Sequence, residues 1–162
     1  MQNRRRFLTG AAAIGGITLL PYRATAGGHG ADTFASATGE ISVSPISHAS
    51  FVMQTPAGTI YVDPVGDASA YGDMPAPDLI LITHEHGDHY DAETLAAIAG
   101  DETPLVTNPA VLAMLPADMQ ARATSIGNGE STSFGDVRGV AIPAYNITEE
   151  RLDFHPKGRD KG

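Results

Sequence analysis

The sequence predicts an α+β fold in which a mixed sheet carries its helices on one face. Two observations lead to this prediction. Residues 41–63 contain three short β-rich runs separated by turn residues, which is typical of an antiparallel start to a sheet. Between residues 78 and 126, apolar strand-like runs alternate with helical segments, which favours parallel strands joined by helices. The chain has 162 residues, the size of one domain.

The antiparallel part is predicted from the runs ISVSPI, SFVMQ and TIYVD. The segment SHA separates the first two runs, and residues 56–58 supply hairpin-turn chemistry between the second and third. A loop is predicted from Pro64 to Pro77, because this segment has three prolines, two glycines and no apolar period. Loops of that length in a compact domain are often functional.

The second part opens with DLILIT, a continuous apolar strand of the kind that is buried on both faces. Asp91 is placed to cap a helix over residues 92–99, with Glu93 in the first turn, where the helix dipole favours an acid. The strand PLVT follows, and Asn108 and Pro109 predict the start of a short helix that ends at Met114. Three further strands are predicted from the runs ATSI, STSF and VRGVAIP.

The first 26 residues have the features of an export signal. Consecutive arginines precede an apolar stretch over residues 11–20, which is shorter than the roughly 20 residues needed to span a bilayer. The small residues ATA follow at 24–26, as a signal peptidase requires. The arginines with Phe-Leu behind them resemble a twin-arginine signal, and an ordinary secretory signal is the alternative. We expect a periplasmic or secreted protein whose residues 27–40 form a flexible lead-in.

Charge and cysteine content restrict the partners. Four of the ten Lys and Arg precede residue 27 and no acid does, so removal of the signal changes the formal charge from −9 to −13. Such a surface repels phosphate backbones and anionic lipids, so we expect no nucleic-acid partner. The chain has no cysteine, which excludes disulfides, thiolate metal ligands and a lipid-modified cysteine. We therefore expect no stable membrane anchor, and a small-molecule substrate.

The stretch ITHEHGDHYD contains three of the six histidines of the chain directly after a buried strand. On a helix, His84 and His86 would point about 200° apart, but where a strand ends, alternate side chains can turn toward one pocket. Asp88 and His89 follow, and Gly87 lets the backbone turn tightly between the two pairs. These nitrogen and oxygen ligands predict a site for one or two divalent metals. Zinc suits the site best, iron or manganese would also fit, and a solvated polar loop is the alternative interpretation.

The same stretch is similar to the His-x-His-x-Asp-His signature of the metallo-β-lactamase-fold superfamily, and ISHASFVMQTPAGTIYVDP resembles its opening hairpin. The segments HAS, YVDP, IPAYN and FHPKG most resemble the branch of metal-dependent hydrolases that includes ascorbate-phosphate lactonase. This resemblance covers residue 41 to the C-terminus and implies a four-layer αββα fold. It implies that His84 and His86 bind a first metal, and Asp88 and His89 a second.

Three further positions take their roles from the resemblance or from their place in the chain. Asp63 would hydrogen-bond the signature loop and orient a ligand. His48 would lie near the pocket mouth, where a structural hydrogen bond is the favoured role. The family takes a third ligand of the first metal from a later loop, and here Asn146 or its neighbours stand where that histidine is expected. Asn is a poor zinc ligand, so His155 is the candidate substitute.

The family's bridging aspartate and last histidine would come after this region. The 136 residues that follow the predicted signal are also fewer than the roughly 200 that we expect for a complete four-layer domain. We therefore expect residues 41–162 to form the N-terminal half of such a domain. A short protein with this sequence would instead complete its core by forming a homodimer.

The predicted function is that of a metal-dependent hydrolase. A metal-activated water would attack an ester, lactone, amide or phosphoester. Asp88 would be a ligand in a two-metal site, or the catalytic proton acceptor when one metal is bound. The alternative is a non-catalytic zinc-binding protein or an inactive fragment that lacks the C-terminal ligands. Cleavage of nucleic acid is disfavoured by the charge of the chain.

Overall fold

The computed structural model describes residues 30–151, 153 and 155. The predicted export signal and the first residues of the predicted lead-in lie outside these residues. The central feature is a seven-stranded mixed sheet whose strands stand side by side in the order of the sequence. Its first half is antiparallel and its second half is parallel, which confirms the predicted fold class.

Four antiparallel strands form one side of this sheet. They are β1 (Asp32–Ser36), β2 (Gly39–Ser47), β3 (Ser50–Thr55) and β4 (Gly58–Val62). The turn into β4 requires glycine, because Gly58 has a φ of 131° and a Cβ there would lie 2.8 Å from Oδ2 of Asp78.

Strand β1 lies inside the segment for which the sequence predicts a flexible lead-in, so that prediction is wrong for residues 32–36. These residues pair in register with the first five residues of β2. The side chain of Ser36 donates a hydrogen bond to the Gly39 carbonyl across the turn. This pairing satisfies the backbone N–H and C=O groups that the edge of β2 would otherwise leave without hydrogen bonds. The amino-acid composition of residues 32–36 did not reveal the strand.

Three parallel strands, β5 (Leu79–Ile82), β6 (Leu105–Thr107) and β7 (Ala123–Ser125), extend the sheet from β4. Helix α1 (Ala92–Ile98) connects β5 to β6, and its N-terminus is capped by the Asp91 carboxylate as predicted. Helices α2 (Pro109–Met114) and α3 (Ala117–Gln120) connect β6 to β7. Asn108 caps α2 as predicted, whereas α3 was not predicted.

The helices pack on one face of the sheet. Ile80 and Ile82 of β5 belong to the larger core cluster, which also contains the buried helix residues Leu95, Val111 and Met119. The alternate residue Leu79 belongs to a smaller cluster on the other face, and Val137 packs against that cluster. Because side chains alternate along a strand, the two clusters mark the two faces of one sheet. The prediction that helices lie on one face is confirmed.

A separate two-stranded sheet consists of β8 (Ser131–Phe134) and β9 (Val137–Val140). The sequence predicts a strand up to residue 143, but β9 ends at Val140. The predicted loop after β4 contains a 3₁₀ turn at Ala68–Tyr71, and a second 3₁₀ turn covers Glu149–Arg151. Within the described part of the chain, no helix is long and apolar enough to cross a membrane.

Candidate metal centre

The histidine-rich loop begins directly after β5, at the carboxyl end of a parallel strand between two neighbours of the same direction. This edge of an open sheet is where ligands bind in many α/β proteins. Residues of the preceding strand pack into the core on both of its faces, so its end is held at a fixed position. The loop then leads through His89 and Tyr90 to the capped start of α1. Both ends of the loop are therefore anchored to regular structure.

Asp63 anchors the loop from the end of the neighbouring strand β4. Asp63 is 2% exposed, and its backbone adopts a φ of 43°, which is tolerated by aspartate better than by most residues. Oδ1 accepts a hydrogen bond from the Thr83 amide at 2.7 Å, and Oδ2 accepts one from the Thr83 hydroxyl at 2.8 Å. Nδ1 of His89 lies 2.7 Å from Oδ2 and donates to it. Asp63 thus holds His89, a candidate metal ligand, and Thr83, the residue before the candidate ligand His84.

Thr83 links this carboxylate to His84. The Thr83 hydroxyl has a single hydrogen, which it donates to Asp63, so its contact of 3.0 Å with Nδ1 of His84 requires that His84 donate. The network thereby places the proton of both His84 and His89 on Nδ1 and leaves Nε2 of each ring with its lone pair. Sequence reasoning missed Thr83, although a hydroxyl residue directly before the first histidine was a visible signal.

The first group of candidate ligands consists of His84, His86 and His155, whose ligand atoms lie within 4.8 Å of one another. The ring centroids of His84 and His86 are 4.7 Å apart, and those of His86 and His155 are 4.9 Å apart. The structure thus brings a histidine from the later loop to the two histidines of the signature. This is the place that the sequence left open between Asn146 and His155.

His84 provides the test of whether this group fits a metal. It is 5% exposed, and its Nε2 has no hydrogen-bond partner among the described residues. Burial, followed by the neighbouring imidazoles, lowers the pKa of His84 from 6.5 to about 4. His84 is therefore neutral near pH 7, with an unpaired lone pair on a ring that neighbours two other imidazoles. A bound divalent cation would satisfy that atom, so the residues fit a metal.

The side chain of Asn146 braces the loop that carries His155. Its Nδ2 donates to the Arg151 carbonyl at 2.9 Å, and its backbone amide donates to the His155 carbonyl at 3.0 Å. These bonds join the two ends of the loop between Asn146 and His155. In the structure, Asn146 therefore shapes the loop while His155 provides the imidazole.

The second group consists of His48, Asp88 and His89, again with ligand atoms within 4.8 Å of one another. Nε2 of His48 lies 3.0 Å from Oδ2 of Asp88, and Nε2 of His89 lies 3.9 Å from the same oxygen. His84 and His89 have ring centroids 3.9 Å apart, so the two groups are adjacent. The structure therefore brings the predicted ligands of both sites into one region, at which the side chain of Asp88 is about half exposed.

Comparison with known proteins identifies the family. The profile of the family described as "Beta-lactamase superfamily domain" matches residues 42–158. The chain belongs to this family. Its match contains the histidine-rich loop, Asp63 and both groups of candidate ligands.

Several relatives in this superfamily are named as metal-dependent hydrolases. A UPF0173 metal-dependent hydrolase from Anaeromyxobacter dehalogenans strain 2CP-C is 33% identical over 144 aligned residues, which cover 78% of this chain and 52% of the relative. A UPF0173 protein from Pyrococcus abyssi is 34% identical over 111 residues, which cover 68% of this chain and 50% of the relative. The chain spans about half the length of the curated relatives it matches.

Two solved structures have a fold similar to that of this chain. A crystal structure from Parabacteroides distasonis, named as a candidate metal-dependent hydrolase, has a TM-score of 0.71 and 32% identity, and covers 83% of this chain and 60% of its own. The diiron β-hydroxylase CmlA from Streptomyces venezuelae, at 24% identity, has a TM-score of 0.52 and covers 64% of this chain and 23% of its own. The CmlA likeness concerns the fold alone.

Proposed function

We propose that this protein is a hydrolase that acts on small-molecule esters, lactones, amides or phosphoesters with the help of divalent metal, zinc being the best match to its ligands. The observation that carries the proposal is the group of three neighbouring imidazoles, those of His84, His86 and His155, in which the buried Nε2 of His84 has no hydrogen-bond partner. Nitrogen and oxygen ligands without sulfur suit zinc, and would also accept iron or manganese. The metal-dependent hydrolases among the relatives support the reaction class.

In this proposal, His84, His86 and His155 hold the first metal, and Asp88 and His89 contribute to a second. The metal, when bound, supplies a Lewis acid that lowers the pKa of water toward 7 and offsets negative charge on the substrate. The protein's own contribution is to present lone pairs in fixed directions. Thr83 and Asp63 do this, because they keep the proton of His84 and of His89 on Nδ1.

Asp88 is placed to accept a proton during the reaction. A hydrogen bond from its own backbone amide, together with the nearby imidazoles of His89, His48 and His84, lowers the pKa of its carboxyl group. The group is therefore a carboxylate at neutral pH and is about half exposed, so a substrate or water can reach it. If a single metal is bound, Asp88 acts as the general base; if two are bound, it acts as a ligand.

The test measures metal content and hydrolysis together. The full chain is purified, loaded with Zn²⁺ and assayed against panels of esters, lactones, amides and phosphoesters. His84→Ala and His86→Ala should each lose the zinc of the first site and lower hydrolysis by more than about 100-fold. Asp118→Asn, an exposed change in α3, is the matched control and should alter neither.

Two results would count against the proposal. Retention of all the zinc that wild type binds in the double variant of His84 and His86 would remove the assigned first site. Zinc bound with no turnover on any panel would favour the alternative of a non-catalytic zinc-binding protein.

We also propose that the protein is exported by a twin-arginine signal. The support is the run of arginines at residues 4–6 before an apolar stretch and the small residues at 24–26. A fusion of residues 1–30 to a reporter that needs prior folding should reach the periplasm, and replacement of the arginines by lysine should retain it in the cytoplasm. Export of the lysine variant at the wild-type level would favour an ordinary secretory signal.

A further inference from the structure

The signature loop alone gives the second group only two ligands, Asp88 and His89. The third member of the group, His48, comes from the hairpin turn between β2 and β3, far away in sequence. We propose that His48 supplies the third protein ligand of a second divalent-cation site formed with Asp88 and His89. This inference rests on the proposed metal-dependent function and extends it to a residue outside the signature.

The distances suit ligands of one ion. Two ligand atoms bound to a single cation at about 2.1 Å in tetrahedral geometry lie about 3.4 Å apart. The separations from Oδ2 of Asp88, 3.0 Å to His48 and 3.9 Å to His89, lie on either side of this value. The ring centroids of His48 and His89 are 5.6 Å apart, and the rings are nearly perpendicular. Small side-chain rotations would bring all three atoms onto one ion.

The protonation of His89 favours a cation at this position. Asp63 accepts the hydrogen of Nδ1 at 2.7 Å, so Nε2 of His89 presents a lone pair. An ionised Asp88 carboxylate also presents only lone pairs, and its Oδ2 lies 3.9 Å from Nε2 of His89. Two acceptors that face each other repel unless a positive charge lies between them. A divalent cation bound by both atoms would supply that charge.

The hairpin turn holds His48 where it can serve as a ligand. His48 has a φ of 45°, a conformation that glycine and asparagine adopt more easily than histidine. The sequence nevertheless has an imidazole at this position of the turn. The buried hydroxyl of Ser50, two residues later, donates to the Asp63 carbonyl at 2.6 Å. The turn is therefore tied to the same residue that orients His89.

A purely structural role for His48 makes a different prediction. In that role, the imidazole would donate one hydrogen bond to Asp88 and contribute nothing to cation binding. The two roles differ in the number of ions that the protein holds, so metal stoichiometry decides between them.

The experiment titrates the full, metal-free chain with Zn²⁺ under equilibrium dialysis, and repeats the titration with Co²⁺ to follow its absorption spectrum. Wild type should bind two equivalents. His48→Gly and His48→Asn accept the positive φ of the turn and should bind the first equivalent normally and the second more than about 100-fold more weakly. The second Co²⁺ band should disappear in both variants. Ala49→Gly changes the same turn without removing a ligand and should keep both equivalents.

The outcomes separate this inference from the proposed function. Two equivalents of unchanged affinity in both His48 variants would overturn the role of His48 as a ligand. One equivalent in wild type, lost in His84→Ala, would overturn the second site and leave the first intact. No zinc in wild type would overturn both proposals. In an Asp88→Asn background, His48→Gly should cause no further loss; an additional loss would also overturn the assignment.

Discussion

Asp63 determines, at the scale of single residues, how two histidines present their nitrogen atoms. Its buried carboxylate accepts hydrogen bonds from the amide and the hydroxyl of Thr83 and from Nδ1 of His89. A carboxylate can accept all three because it has no hydrogen of its own. The direction of each imidazole lone pair is therefore fixed before any metal arrives. Such preorganisation raises metal affinity because less conformational freedom is lost on binding.

Asp63→Asn should weaken zinc binding by about 10- to 100-fold, because the amide nitrogen cannot accept a hydrogen bond from Thr83 or His89. Competition with a chelator of known affinity measures the effect. Asp78→Asn is the matched control, since Asp78 also accepts a backbone hydrogen bond, from Thr59 at 2.7 Å, at the start of the same strand. It should lower stability without changing zinc affinity. Equal zinc affinity in the two variants would show that Asp63 does not orient the ligands.

His84 makes the stability of the metal-free protein depend on pH. Its pKa is lowered by burial to about 4, below the 6.5 of an exposed histidine, so the unfolded chain binds a proton at a higher pH than the folded chain does. Stability from this group is full above about pH 6.5 and is lost as pH falls toward 4, by about 3 kcal/mol in all. Urea unfolding between pH 7.5 and 4.5, with chelator present, measures this. His84→Gln should flatten the slope, and an unchanged slope would contradict the shift.

At the scale of elements, α1 begins immediately after the histidine-rich loop. The Asp91 carboxylate accepts hydrogen bonds from the amides of Glu93 at 2.9 Å and Thr94 at 3.2 Å. These bonds satisfy amides that the first turn of a helix leaves open. The same cap therefore ends the loop and starts the helix, which limits how far His89 can move.

Asp91→Ala should lower the free energy of unfolding by about 1 kcal/mol, the usual value of a lost helix cap. Urea unfolding at pH 7 measures it. Asp118→Ala serves as the comparison, because Asp118 lies in the first turn of α3 but α3 has no side-chain cap bond. That variant should change stability by much less. A similar loss in both would attribute the effect of Asp91 to charge near the helix end rather than to the cap.

The sequence predicted these elements where the signal is local. Asp91 and Asn108 cap the helices expected from their spacing, and the apolar run of β5 lies in the parallel part of the sheet. The prediction from sequence failed where the pairing of a strand with its neighbour decides the structure. β1 has a composition typical of a linker, and its five exposed residues form a strand only because the edge of β2 is available to them.

At the scale of the whole molecule, the candidate site joins parts that sequence reasoning could treat only separately. His48 belongs to the first hairpin, His84 and His86 to the loop after β5, and His155 to a late loop. The local spacing of the signature predicted a metal site. Ligand chemistry favoured His155 over Asn146, but the spacing could not place the His155 ring beside His84, because that position depends on the loop closed by the bonds of Asn146.

A metal bound by these separate segments should stabilise the whole fold. It would bind the folded chain far better than the unfolded one, so free zinc at about 100 times its dissociation constant adds about 2.7 kcal/mol, or roughly 10 °C in Tm for a domain of this size. Thermal unfolding with Zn²⁺ and then with excess chelator measures the shift. His84→Ala should show a smaller shift, because it lacks the buried ligand of the first site but keeps His48, Asp88 and His89. If wild type unfolds at the same temperature with Zn²⁺ and with chelator, these segments do not share a metal, since an ion that binds only the folded chain must raise its Tm.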